Sequence, residues 1–165
     1  MKKVILIASF AFIALAGFSQ KLGHVDGQAI LLAMPERIEA EDSIKRVSGD
    51  FQTVLDEMAK DREKKIQEIQ ANEKTWPAPV LQSKMKGVSD LETNMVDFRQ
   101  QAENDLADLE QKLMQPMIDR AKKAIEDVGK EEGFTYIFDS STGALLYMGG
   151  EDVTPKVKLK LGIKS

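Results

Sequence analysis

The sequence predicts a mostly α-helical chain of the α+β class, a long antiparallel helical-hairpin arm on a small β body. Three observations predict it. Residues 35–130 are dense in charge and nearly free of glycine, whereas 21–34 and 133–165 carry glycine, threonine, tyrosine and β-branched residues. Within the charged stretch, apolar residues recur every three or four positions: Ile44, Val47, Phe51, Leu55, Met58, Ile66 and Ile69, then Leu81, Val88, Leu91, Met95, Phe98, Ala102, Leu106, Leu109 and Leu113. That is the period of helices burying one stripe. Between the two series lies Trp76-Pro77-Ala78-Pro79, which cannot continue a helix and so forces a turn at 76–79.

A chain that reverses at this turn lays one stripe against the other. A single register pairs Ile69 with Val88, Ile66 with Leu91, Leu55 with Ala102, Phe51 with Leu106, and Glu73 with Lys84 in an ion pair at the tip. The expectation is a two-stranded hairpin over 36–116 with its first helix reaching Trp76. Arg62 interrupts the stripe opposite Met95, where a structural coiled coil prefers leucine. Pro116 should kink the second helix and mark the joint to the body, and Gly133 should end that helix.

The body comprises residues 20–35 and 117–165. Lys21–Asp26 reads as a strand and Gly27–Met34 as a short helix. Phe134–Asp139 reads as a strand, Ser140–Gly143 as a turn and Ala144–Met148 as the returning strand of a hairpin. Thr154 is read as the cap of a last helix with Pro155 at its first position. Three short strands cannot bury both faces of a sheet, so the body is expected to oligomerise through Val25, Tyr136, Phe138, Leu145 and Tyr147.

The start of the chain reads as an address. Lys2 and Lys3 precede an unbroken apolar run, Val4–Ala16, and Gly17-Phe18-Ser19 offers small residues to a signal peptidase. Residues 1–19 are therefore expected to be a signal peptide cleaved near Ser19/Gln20. The run is short of the roughly 20 residues that span a bilayer. There is no cysteine, so lipid anchoring, disulfides, thiol catalysis and thiolate metal sites are excluded. His24 is the single histidine; a multi-histidine metal centre is not available within one chain, and no cofactor is called for. The formal net charge of −4 argues against a nucleic-acid partner, because phosphate binding needs concentrated Lys and Arg.

Lys21-Leu22-Gly23-His24-Val25-Asp26, Ile30-Leu31 and Met34-Pro35-Glu36 resemble the amino-terminal segment of the Skp/OmpH periplasmic chaperones. Gly133-Phe134-Thr135-Tyr136-Ile137-Phe138-Asp139, Ala144-Leu145-Leu146-Tyr147 and Asp152-Val153-Thr154-Pro155 resemble that family's carboxy-terminal segment. The resemblance spans essentially residues 20–165. It implies a homotrimer in the periplasm whose body is a small β-barrel shared by three chains. It also implies three helical arms enclosing a cavity, and ATP-independent holding of unfolded outer-membrane proteins. The best-known members are strongly basic and this chain is acidic. Basicity survives between Lys60 and Lys86, where Lys and Arg outnumber Asp and Glu. The family's proposed basic motif for lipopolysaccharide has no match here.

No catalytic constellation emerges. His24 stands near Asp26 without a nucleophile beside it, Ser140–Gly143 is a turn before it is an anion nest, and Asp139 reads as the cap of that turn. The candidate client-binding residues are Lys60, Arg62, Lys64, Lys65, Lys84 and Lys86 as an attracting patch, Trp76 at the tip, and Met85, which lies off the register and so faces the cavity. Met58 and Met95 read as hairpin core. Two other readings stay open: an envelope coiled-coil tether, and a lipid or lipopolysaccharide carrier in contact with a membrane surface.

Overall fold

The computed structural model describes residues 20–163, so the expected signal peptide lies outside them. Its elements are β1 (Leu22–Val25), α1 (Gly27–Ala33), α2 (Glu36–Asn72), α3 (Ala78–Glu131), β2 (Tyr136–Asp139), β3 (Glu151–Asp152) and α4 (Thr154–Lys160). They divide into two units. One takes the chain up to Ala33 and from Arg120 onward; the other is Met34–Asp119.

The first unit is a three-stranded sheet in the order β2-β1-β3, with β1 parallel to both neighbours. Alternation along β1 and β2 sends Gly23, Val25 and Ile137 to one face. Val25 and Ile137 pack there with Ile30, Ala121, Ala124, Val128, Val153 and Val157 in a common core. Gly23 has to be glycine: a Cβ would stand 2.9 Å from the Phe134 ring and 3.2 Å from the Glu151 carbonyl. Gly133 ends α3 as expected, with φ of 71° and the Phe134 amide returning to the Gly129 carbonyl at 2.9 Å. Ile30 is fully buried, so Ile30→Ala should cost about 2–5 kcal/mol of the unit's stability, measured as a shift of the denaturant midpoint.

Two expectations are corrected here. Ala144–Met148 is not a strand; the strand after β2 is Glu151–Asp152, and it lies on the far edge of β1 in the parallel sense. An antiparallel return needs only a tight turn, whereas a parallel one must carry the chain back the length of a strand. Residues 140–150 make that journey, and Gly150 lets it pass close to β1, since a Cβ there would sit 2.7 Å from the Leu22 carbonyl. Thr154 is not the cap of α4. Its amide donates to Asp152 Oδ1 at 2.9 Å, while its hydroxyl accepts the Asp26 amide at 2.9 Å. Asp26 caps α1 through the Ala29 amide at 2.8 Å.

Lys21, Glu132, Lys156 and Glu151 form a ring of alternating charge that ties β1, the residue after α3, β3 and α4 together. The hydrogen bond from Lys156 is the largest influence on both the Glu132 and the Glu151 carboxyls and, with help from Lys21, holds them below the usual range against an opposing effect of burial. Carboxylates with lowered folded values add stability above their unfolded value of about 4.3 and lose it as pH falls through the folded value. The thermal midpoint should therefore fall on acidification below about pH 4, and Glu132→Gln should blunt that fall.

The second unit is the expected antiparallel hairpin, in a different register. Each stripe residue named above is half-buried or buried. Yet Phe51 meets Phe98, not Leu106, edge to face at 5.9 Å between ring centroids. Lys84 pairs with Glu68 rather than Glu73, at 2.8 Å, and Arg62 reaches Glu92 at 3.5 Å. All three contacts are displaced in the same sense, by roughly one to two helical turns. The apolar positions are degenerate under such a slip; the aromatic pair and the ion pairs are not. Carbodiimide, which joins amine to carboxylate without a spacer, should link Lys84 to Glu68 and leave Lys84–Glu73 unlinked in peptide mass spectra.

The first helix of the hairpin stops at Asn72, short of Trp76, and the Thr75 and Trp76 amides both donate to the Asn72 carbonyl. Pro79 falls in the first turn of α3, where a missing amide costs nothing. The helix continues through Pro116 without ending there.

Candidate functional site

Each unit presents one surface with unusual chemistry. In the hairpin it lies beside the turn. Lys84 bridges to Glu68 and stands 5.3 Å over the Trp76 ring, so the half-buried indole folds against its own hairpin. Lys65 pairs with Asp61 at 3.6 Å, Lys86 with Asp90 at 2.6 Å, and Arg62 with Glu92. Lys60 and Lys64 have no acidic partner among the described residues. The basic patch is thus largely answered by acids that sequence reasoning passed over. The i,i+4 spacing of Asp61 with Lys65 and of Lys86 with Asp90 was the available signal.

Between the helices near the turn, Ile66, Ile69, Gln70, Glu73, Leu81, Met85 and Val88 line an open groove of about 370 Å³. Met85 is 57% exposed and stands in the wall of this groove with Leu81 and Val88. Met58 and Met95 are half-buried within the apolar stripe.

In the sheet unit the face away from the core is uncovered. It carries Leu22, Tyr136 and Phe138, exposed by 43%, 58% and 44%, and the two aromatic rings lie 6.1 Å apart. His24 is on this face too, opposite Phe138 on one side and Asp152 on the other. Its Nδ1 is buried without a partner. Val25 belongs to the chain's own core, on the face of the sheet opposite Tyr136 and Phe138. Leu145 is half-buried and Tyr147 fully exposed, both in the crossover rather than a strand; Leu146 and Met148 are exposed beside them.

Asp139 accepts from the Ser141 amide and hydroxyl at 2.9 and 2.7 Å and from the Gly27 amide at 3.2 Å. Burial raises its carboxyl, but these hydrogen bonds outweigh it and leave the group below the usual range. It fixes the start of α1 to the end of β2 and is spent on that task. Among the described residues no group of His, Asp or Glu is arranged to hold a metal ion, and no helix is long and apolar enough to cross a membrane.

The sequence pattern of the outer membrane protein (OmpH-like) family matches residues 21–161, nearly all of the sheet unit and the whole hairpin. The chain belongs to the OmpH-like family. No curated protein matches it in sequence. Its fold is similar to that of a crystal structure from Caulobacter crescentus CB15 described as an outer membrane chaperone (OmpH-like). The TM-score is 0.72 at 13% identity, over 89% of this chain and 88% of that one. At that identity the likeness shows the fold. It places both the OmpH-like hairpin and its small sheet within an architecture already seen.

Proposed function

We infer that this OmpH-like chain is an ATP-independent holdase of the periplasm that keeps unfolded outer-membrane proteins from aggregating. It works as a homotrimer, with sheet units closing a shared β-barrel and hairpins enclosing the client. The observation that carries the reading is the hairpin itself. Its apolar stripe is mostly half-covered, it exposes Met85, Val80 and Val96 besides, and it holds an open groove. Flexible, polarizable side chains on a partly open surface suit many weak contacts with varied chains. The family and the described role of the Caulobacter relative support it.

Assembly is supported by the uncovered sheet face. Leu22, Tyr136 and Phe138 make a contiguous apolar surface of the kind a soluble monomer rarely keeps. Both sheet edges are open as well, since β2 and β3 pair on one side only.

Several unrelated β-barrel membrane proteins, diluted from urea without nucleotide, test the reading by light scattering. A holdase suppresses scattering for all of them near stoichiometric amounts. Unsuppressed scattering for every client sinks it. Tight binding of one folded partner would indicate a tether instead, and binding of lipid alone a carrier.

A further inference from the structure

The seam of α2 steps through Phe51, Leu55, Met58, Arg62, Ile66 and Ile69, and one of these is charged. Arg62 is half-buried; its Nε is enclosed without a hydrogen-bond partner, while Nη1 spans the hairpin to Glu92 at 3.5 Å. The Arg62 side chain is 41% exposed, so its charged end stays partly in water, and an arginine in place of an apolar residue removes apolar packing from the seam at that point. The two sides of Arg62 differ. Away from the turn, Phe51 and Phe98 pack edge to face and Ala102 is buried. Toward the turn, Ile66, Ile69, Leu81 and Val88 surround the open groove. What closes that end is the exposed Lys84–Glu68 pair and the Lys84–Trp76 contact, and exposed ion pairs contribute little in water.

We propose that Arg62 divides the hairpin into two segments of unequal stability, and that the seam over residues 63–90 parts on its own while Phe51–Met58 and Met95–Ala102 stay paired. Parting uncovers Ile66, Ile69, Leu81 and Val88 and offers them, beside Met85, to apolar stretches of an unfolded chain. The parting is a property of the hairpin alone; the offer rests on the holdase reading. Such a device lets the grip widen near the turn without loosening the rest of the helix pair.

Hydrogen exchange of the full chain, free of client, tests the first half. Short helices separated from their partner are marginal in water, so parting registers as amide exchange. After correction for intrinsic rates, amides of 66–72 and 80–88 should exchange about tenfold faster than those of 51–58 and 95–102. Arg62→Leu should slow the first set by about the same factor and leave the second unchanged. One common rate for both sets, or a turn-side rate indifferent to Arg62→Leu, overturns the division.

Dwell time of a fluorescent unfolded membrane protein tests the second half. Arg62→Leu should shorten the dwell several-fold. Unchanged dwell with slowed exchange would keep the gate and overturn the offer of its apolar faces. Loss of suppression in the unaltered chain would count against the holdase reading, leaving the exchange result to stand or fall separately.

Discussion

Phe138→Asp should leave the helices and the sheet of the single chain intact and abolish its assembly. In the chain alone Phe138 is 44% exposed on the uncovered face, so a carboxylate there stays in water and costs the protomer little. Packed against other copies, the same carboxylate would be buried and unpaired. That costs about 3–5 kcal/mol or more for each copy, comparable with a whole domain's stability. Size-exclusion chromatography with light scattering should read the wild type as a trimer and the variant as a monomer, with matching far-UV circular dichroism. A variant that remains trimeric would move the interface away from this face. Val25→Asp serves as contrast: it strikes the chain's own core and should unfold the sheet unit outright.

Removing residues 48–109 and joining the ends through a short turn should leave a folded, assembled core with client protection nearly lost. The sheet unit keeps every member of its core, since Val25, Ile30, Ala121, Ala124, Val128, Val153 and Val157 all lie outside the deletion. What disappears is the open groove, Met85, Val96 and the seam on both sides of Arg62. Scattering assays on the shortened chain should approach those of clients alone. Retained protection would assign client binding to the sheet unit.

The sequence was legible where one physical requirement left one solution. A stripe repeating every three or four residues has to be a helix face, and it is half-buried or buried along its length. Paired prolines have to make a turn, and Gly133 has to end a helix. It was illegible where several solutions satisfy the same pattern. An apolar ladder of leucine, methionine and alanine accepts a slip of a turn, because each side chain meets another apolar one. Two glutamates before the turn, Glu68 and Glu73, could answer Lys84 across it, and nothing in their spacing chooses between them. Ala144–Met148 is apolar enough for a strand, but the pattern carries no sense of direction, and the parallel sheet turned that segment into a crossover. The candidate site fared likewise. Met85 reads as off the register, yet it shares the groove wall with Leu81 and Val88. Two of the basic side chains, Arg62 and Lys84, meet acids on the opposite helix that a count along one helix does not find.

The parallel sheet also sets the order in which this molecule can come into being. Every strand pair joins the beginning of the chain to its end; the Ser140 side chain, for one, bonds the Val25 carbonyl from 115 positions away. The hairpin needs no such reunion, since its contacts across the turn can form as soon as Val88 or so has emerged. Pairings so distant in sequence are slow, because loop closure precedes any reward. The hairpin thus folds early and the sheet last. Each new chain passes through a stage at which its long helices can already pair while its first strand still waits for the last residues of the chain to reach it.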